Sequence, residues 1–211
     1  MAYSPPTRVS LRTSVQRDLR DPTAQTFLAA EVDDLINIGI LEVSRVYPKE
    51  QRISVDVTLA DQRTFIIGAT SIFRVEVVKE GVTVFGVRVN ALENHAQSGW
   101  DYHGGVLYLP EFVGPLDAAL NSLNVWGYWP RATMHLDADV LDGNAECEYA
   151  VRAVATATGY QRLQNDRALF QQWRTNPLNS DVSPNQVAQM ADFYMAHWDR
   201  LRKRIRIIQR V

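Results

Sequence analysis

The hydrophobic period of this chain changes twice, and that change constrains the fold more than any other feature. From Phe27 to Tyr47 the apolar residues recur at the three- and four-residue spacing of an amphipathic helix, which Pro48 ends. Between Ile53 and Trp129 the period becomes two, as in strands. From about Asn144 onward the helical spacing returns. The pattern predicts an α+β fold: a helical bundle of N-terminal helices and two long C-terminal helices, with an inserted β subdomain.

The predicted helical domain comprises residues 1–50 and 140–211, and the predicted β subdomain comprises residues 51–139. Within the subdomain we expect about six short strands, with a hairpin turn at Glu80-Gly81. Strands of this length and spacing are typical of a small antiparallel sandwich or barrel. Residues 9–20 are interpreted as a short polar segment that Asp21-Pro22 interrupts.

The last helix is the most distinctive predicted element. Ser183 can cap it, Pro184 suits its first position, and Gln186 stands where a capping box places a glutamine. At 1.5 Å per residue the helix would be about 40 Å long. Apolar or small residues at a strict four-three spacing form one narrow seam along it: Val187, Ala191, Tyr194, Trp198, Leu201, Ile205 and Ile208. Its end is strongly basic. Such a helix suits docking onto another molecule, although a terminal helix packed on its own core is equally open.

Charge is distributed unevenly along the chain. The net charge is −2. Residues 151–211 carry ten Lys and Arg against four Asp, and the whole-chain totals of 22 and 24 then leave 12 basic and 20 acidic groups in residues 1–150. This polarity suits head-to-tail docking, an acidic partner, or nucleic-acid contact by the basic end.

The composition indicates the class of protein and the compartment in which it folds. With 46% hydrophobic and 22% charged residues the chain has an ordinary globular composition. We find no run of 18 apolar residues, so no membrane span is expected, and the N-terminus lacks a signal-peptide pattern. Cys147 is the single cysteine, which excludes an internal disulfide and favours a small buried residue. Folding in a reducing cytoplasm fits these features.

No motif in the chain predicts catalysis. The run His103-Gly104-Gly105 is similar to an esterase oxyanion loop, but the Gly-x-Ser-x-Gly nucleophile turn is missing. No glycine-rich phosphate loop is present. His95, Asp101 and His103 match no metal-ligand spacing and are interpreted as solvated loop residues. The sequence therefore predicts no enzymatic activity, no metal site and no cofactor.

Aromatic residues in the β subdomain support a different hypothesis. Exposed on one sheet face, they would form a platform for stacking sugars or single-stranded nucleic acid. Packing in the subdomain core is the favoured explanation for most of them, because Trp126 and Tyr128 alternate with Gly127 and Trp129, so one of these pairs should face the core. The residues are Trp100, Tyr102, Tyr108, Trp126, Tyr128 and Trp129. A carbohydrate- or receptor-binding module is thus the alternative function.

The order of motifs resembles that of tailed-phage head–tail connector proteins, the neck adaptors. That family opens with two helices that read DP, F-S-x-x-E-L, I-N-x-A and E-V-S-R, followed by a proline. The matching residues here are Leu19-Arg20-Asp21-Pro22, Phe27 with Glu31, Ile36-Asn37 and Glu42 to Pro48. The strand that contains Phe73-Arg74-Val75-Glu76, the helix with Glu148-Tyr149-Ala150 and the basic last helix are also similar to the family's. The chain departs from the family at Leu28, where Ser or Thr is usual, and Thr26 is the alternative cap. It also departs at Gly39, where Ala is usual; this glycine lies on or near the apolar stripe of its helix and would permit close helix contact.

The resemblance implies a structural virion protein of the phage neck, assembled in the host cytoplasm. Such proteins form a ring, typically of twelve copies, beneath the portal protein. They extend the DNA channel and receive the next neck or tail protein, whether stopper, tail terminator or tail tube. DNA passes through without specific binding, and no membrane is involved.

Two sets of residues follow from this reading. The expected portal-docking residues lie at the end of the last helix: Trp198, Arg202, Lys203, Arg204, Ile205, Arg206, Ile208 and Arg210. The expected channel-facing residues are the acids of the helix after Pro22, which would keep DNA from sticking: Glu31, Asp33 and Asp34.

Overall fold

A computed structural model describes residues 3–79, 82–88, 100–109, 116–118 and 120–208, without the side chains of residues 82–88 and 205–208. The described helices are α1 (Arg8–Asp18), α2 (Ala29–Val46), α3 (Ala145–Asn165), α4 (Arg167–Arg174) and α5 (Pro184–Ile208). The described strands are β1 (Lys49–Asp56), β2 (Thr64–Ile66), β3 (Ser71–Lys79), β4 (Val82–Arg88), β5 (Asp101–His103), β6 (Val106–Tyr108) and β7 (Asn121–Trp129). The predicted α+β class is confirmed.

The chain forms two compact units. A helical unit contains residues 1–47 and 131–211, and a β unit contains residues 48–130. The prediction that residues 131–139 belong to the β subdomain is wrong. This segment joins the helical unit because Asn37 of α2 holds the Met134 backbone by two hydrogen bonds, and the Arg8 N–H donates to Asp139 O at 2.9 Å.

The β unit consists of two antiparallel sheets. The larger has the strand order β1-β7-β3-β4, and the smaller has the order β2-β6-β5. The predicted strands on either side of Glu80-Gly81 pair as antiparallel neighbours, β3 with β4, while Glu80 and Gly81 themselves lie outside the described residues. The described strands close into no barrel, because each sheet keeps two end strands. Buried residues of both sheets, including Phe65, Leu107 and Val125, form one core.

The helical unit is organised around α3. This helix packs against both α2 and α5, which have few contacts with each other. Small residues allow the close approach: a Cβ on Gly39 of α2 would lie 2.7 Å from the Val151 backbone oxygen of α3. The predicted role of Gly39 as a close helix contact is thereby confirmed.

The structure differs from the sequence prediction at residues 9–20 and in the number of described helices after Asn144, where two were predicted and three are found. Residues 8–18, interpreted as a polar segment, form α1, whose Leu11 and Val15 are fully buried in the core. The helix that starts at Ala145 continues past Gly159 but ends at Asn165. There Asp166 accepts hydrogen bonds from the backbone N–H groups of α4, at 2.9 and 3.0 Å, and so starts a separate helix.

The ends of the insertion are fixed within the helical unit. Arg131, where the chain returns, donates its backbone N–H to Ser44 Oγ at 3.0 Å and its Nε–H to Tyr47 O at 2.9 Å. Its guanidinium also lies 4.8 Å from the centre of the Tyr47 ring. The residue that closes the insertion is therefore bound to the residue that opens it.

Candidate docking surface

Helix α5 begins as its sequence predicts. Ser183 donates its backbone N–H to Gln186 Oε1 at 2.8 Å, and Ser183 Oγ accepts from the Gln186 N–H at 3.3 Å. Pro184 is the first helical residue. This reciprocal capping box satisfies two backbone donors and fixes the start of the helix.

The first part of the α5 seam is buried in the core of its own unit. Val187 and Ala191 are 0% and 2% exposed, and Trp198 is 5% exposed. The half-buried Tyr194 stacks on Tyr160 of α3, with ring centres 6.0 Å apart. Trp198 was predicted as a docking residue, and this is wrong, because its indole is a core side chain. The seam attaches α5 to α3 and leaves the other faces of α5 available.

The basic end of α5 is partly compensated within the chain. Arg202 pairs with Asp199 at 2.8 Å, and Arg204 pairs with Glu146 of α3 at 3.4 Å. Both arginines remain substantially exposed, at 40% and 70% of their side chains. Lys203 is exposed and makes no ion pair with any described residue. These cations can attract an acidic surface, although exposed pairs of this kind are individually weak.

The remaining predicted docking residues are only partly described. Ile205, Arg206 and Ile208 lie in the helical backbone of α5, whereas their side chains are not described. Arg210 lies outside the described residues. Their docking role stays a prediction.

Asp33 is not a channel-facing acid. It is 9% exposed, and its two carboxylate oxygens accept bidentate hydrogen bonds from Arg12 of α1, at 2.8 and 2.7 Å. Arg8 approaches the same carboxylate at 3.7 Å. Arg12 and Arg8 also bind the exposed Asp137 at 2.8 and 2.9 Å. The cluster ties α1, α2 and the 131–141 segment together, so Asp33 has a structural role.

The other two predicted acids differ from Asp33. Glu31 is half-buried, and its Oε2 accepts a hydrogen bond from the Leu28 N–H at 2.8 Å, which caps α2. Leu28 has no capping side chain, so Glu31 performs this task, and Thr26 does not. Asp34 is exposed and makes no ion pair with any described residue. Of the three acids, only Asp34 is free to contact another molecule with its whole carboxylate.

The aromatic side chains of the β unit do not share an exposed face. Trp100 is 4% exposed in the core, and Trp129 packs against the same core. The ring of Trp126 lies beneath two guanidinium groups, from Arg74 at 4.4 Å and Arg52 at 5.2 Å. Three of the six predicted platform residues therefore have their rings occupied by protein contacts.

The groups considered for chemistry have unreactive surroundings. Cys147 is buried, and burial raises the pKa of its thiol, which keeps it protonated and a poor nucleophile. His103 is 70% exposed and lies 3.9 Å from the Asp101 carboxylate, and His95 lies outside the described residues. Across the described ranges, no group of three or more His, Cys, Asp or Glu is placed to hold a metal ion. None of the described helices is both long and apolar enough to cross a membrane.

Two exposed side chains on α5 were not predicted from the sequence. Phe193 is 66% exposed and Arg200 is exposed without an ion pair to any described residue. Neither belongs to the seam, so its spacing did not identify them. Their seven-residue separation places both on the same outer face of the helix, and that separation is readable from the sequence.

Comparison with known proteins adds no family assignment. Neither the scan against protein-family models nor the search of curated proteins found a match.

Proposed function

We propose that this chain is a structural subunit of a tailed-phage neck, which forms a ring beneath the portal and joins the head to the tail. The proposal rests on the motif order given above and on a helical frame that carries a β insertion. In this role the subunit binds the portal protein, neighbouring copies of itself and the next neck or tail protein. The ring extends the channel through which DNA passes without specific binding, and the subunit is not an enzyme.

The observation that carries the proposal is that the two parts of α5 have different surroundings. The part from Val187 to Trp198 packs in the subunit's own core through Val187, Ala191 and Trp198. The last described turns of α5 carry Arg202, Lys203 and Arg204, which are half-exposed or exposed. A helix anchored at one end and cationic at the other can present its end to a partner without unfolding the subunit.

Truncation after Leu201 tests the docking role. It removes five basic groups (Arg202, Lys203, Arg204, Arg206 and Arg210) and the seam residues Ile205 and Ile208. The truncated protein should fold, because Val187, Ala191 and Trp198, the seam residues that are buried in the described part of the chain, precede the cut. We expect it to lose binding to tail-less, portal-containing heads in a pull-down, and full-length binding to weaken as salt rises.

A charge-reversal pair separates charge from length. Lys203→Glu should weaken capture by the heads, whereas Arg17→Glu, an exposed charge reversal on α1, should leave it unchanged. Circular dichroism of both variants confirms that the fold is retained. Equal capture of the truncated and full-length proteins would show that the docking surface lies elsewhere.

We expect the isolated protein to be monomeric or weakly associated and to assemble on the portal. Its net charge is small and its charged segments are separated, which favours assembly on a template over spontaneous assembly. Light scattering of the purified protein measures this. A stable ring formed without a partner would contradict templated assembly.

The carbohydrate-binding alternative receives less support. It requires aromatic rings exposed on one sheet face, and Trp100, Trp126 and Trp129 are each engaged by core residues or arginines. A glycan array provides the direct test, and we expect no binding above background.

A further inference from the structure

We infer that the outer faces of α2 and α5 bind each other between neighbouring copies of this chain, head to tail. The inference deepens the proposed ring and rests on it. It names the contact surface between subunits, whereas the end of α5 beyond Leu201 remains assigned to the portal.

The two faces are separate surfaces of one unit. Helix α3 packs against both α2 and α5, and the latter two have few contacts with each other. Each therefore has an outer side that its own unit leaves uncovered. Because the two outer faces are different surfaces, a contact between them is heterologous and can close into a ring.

Both faces expose a large apolar side chain. Leu41 on α2 is 49% exposed, and Phe193 on α5 is 66% exposed. Neither belongs to the core of the helical unit. Burying apolar side chains of this size is favourable, which makes the pair a natural centre for a contact.

Each face also has a charged side chain with no ion pair to any described residue, and the two charges are opposite. Asp34 on α2 is exposed, and its neighbour one turn earlier is Glu31. Arg200 on α5 is exposed, and its neighbours one turn later are Lys203 and Arg204. Like charges one turn apart on a helix repel, so an opposite charge from outside stabilises each face.

The spacing of these groups matches. Asp34 precedes Leu41 by seven residues, and Arg200 follows Phe193 by seven residues, so each pair spans about 10.5 Å of helix. If Phe193 of one copy packs on Leu41 of the next in antiparallel orientation, Arg200 reaches Asp34. The same alignment sets the small Ala196 against Ile38, which permits close packing of the helices.

This arrangement gives Asp34 a role different from the one the sequence suggested. Its carboxylate would be covered by a neighbouring subunit instead of lining the channel. With Asp33 in a buried ion pair and Glu31 capping α2, the channel-facing assignment then keeps none of its three residues as a free carboxylate.

Disulfide trapping of full-length protein tests the contact, because it captures even weak association. The Leu41→Cys and Phe193→Cys variants are mixed and oxidised without heads. We expect a disulfide-linked dimer from the mixture and not from either variant alone. The control mixture pairs Leu28→Cys with Leu178→Cys, which are 63% and 62% exposed at other surfaces. The native Cys147 is buried and is present in every sample.

Charge reversal adds a second readout. Adding Arg200→Glu to the Phe193→Cys variant should lower the yield of trapped dimer by about fivefold. Adding Asp34→Arg to the partner variant should restore the yield. A dimer from Phe193→Cys alone, a yield no higher than the control mixture, or charge variants without effect would each overturn the inference.

Trapping of the dimer and capture by heads report on different parts of α5. Phe193 and Arg200 both precede Leu201, so the truncated protein should still be trapped as a dimer while losing capture by heads. Trapping without capture by heads in the full-length protein would leave the subunit contact standing and reject the neck role. Capture of the full-length protein by heads without a trapped dimer would support the neck role and reject the contact between α2 and α5.

Discussion

The helical unit and the β unit each have their own hydrophobic core, but they are specified by different kinds of contact. In the β unit, apolar and polar residues alternate along strands, and the pairing partners of β3 and β4 are close in sequence. In the helical unit, polar contacts between distant residues fix the packing, as between Arg12 and Asp33 or Asn37 and Met134. Both units therefore depend on distant segments, but backbone pairing joins them in the β unit, as between β1 and β7, whereas side-chain hydrogen bonds join them in the helical unit.

The largest expected effect is at Trp173, in the helical unit. Its ring is fully buried, and its Nε1–H donates to Leu19 O at 2.9 Å. Trp173→Ala should lower the free energy of unfolding by about 3–5 kcal/mol, through the lost volume and the unpaired carbonyl. Chemical denaturation measures the change. Trp173→Phe keeps a ring without the donor and should cost about 1–3 kcal/mol. If both variants unfold like the wild type, the contact between Trp173 and Leu19 contributes nothing to the free energy of unfolding.

A pair of glycines, one in each unit, sharpens the comparison. A Cβ on Gly39 would meet the Val151 backbone oxygen at 2.7 Å, whereas a Cβ on Gly68 would meet no atom within 4 Å. Gly39→Ala should therefore destabilise by about 1–3 kcal/mol despite the better helix propensity of alanine. Gly68→Ala should leave the melting temperature nearly unchanged. A stabilised Gly39→Ala variant would show that α2 can move away from α3 at little cost.

Adjacent aspartates provide a matched test of the ion-pair cluster. Asp33→Asn leaves Arg12 and Arg8 without their shared carboxylate and should cost about 1–3 kcal/mol of unfolding free energy. Asp34→Asn changes an exposed residue and should shift the midpoint of denaturation by an amount near the error of the measurement. Equal effects at both positions would contradict the structural role of Asp33.

The smallest expected effect is a loss of stability in acid. Hydrogen bonds from Arg8 and Arg12 lower the pKa of Asp137, and the backbone N–H groups of Leu136 and His135 lower that of Asp139. A carboxylate with a lowered folded-state pKa stabilises the fold above its unfolded pKa, which is about 3.9. That contribution to stability is lost as the pH falls through the lowered folded-state pKa of the carboxyl group. Thermal melts from pH 6 to pH 2 should therefore show a smaller acid-induced decrease for Asp137→Asn than for wild type. An identical decrease in both proteins would argue against this linkage.

Sequence patterns predicted the elements that depend on neighbouring residues. The α5 capping box, the pairing of β3 with β4 and the small residue at Gly39 on the packed stripe were predicted because each depends on local spacing. Helix α1 was missed because its core contacts depend mainly on Leu11 and Val15 within a polar segment. That pair alone gives too little periodicity to separate a helix from a loop.

The candidate site was harder to predict than the fold. Asp33 is buried because it pairs with Arg12, which is 21 residues earlier in the sequence. A pairing over that separation cannot be predicted from the spacing of neighbouring residues. Trp198 has the same seam spacing as the predicted docking residues Ile205 and Ile208, so the sequence could not show that its indole belongs to the core. Phe193 was overlooked because an exposed aromatic residue outside the seam has no periodic signal.

The hydrogen bond between Arg131 and Tyr47 also has a consequence for how the sequence of this protein can evolve. Since Arg131 contacts Tyr47 O and Ser44 Oγ directly, the frame keeps the ends of residues 48–130 together without needing any particular sequence between them. The entropic free-energy cost of closing such a loop rises only slowly with its length, by about 0.6 kcal/mol for each doubling. The insertion is therefore an exchangeable module. A short glycine-rich linker or an unrelated domain with adjacent termini should be accepted in its place, while the helices keep their packing.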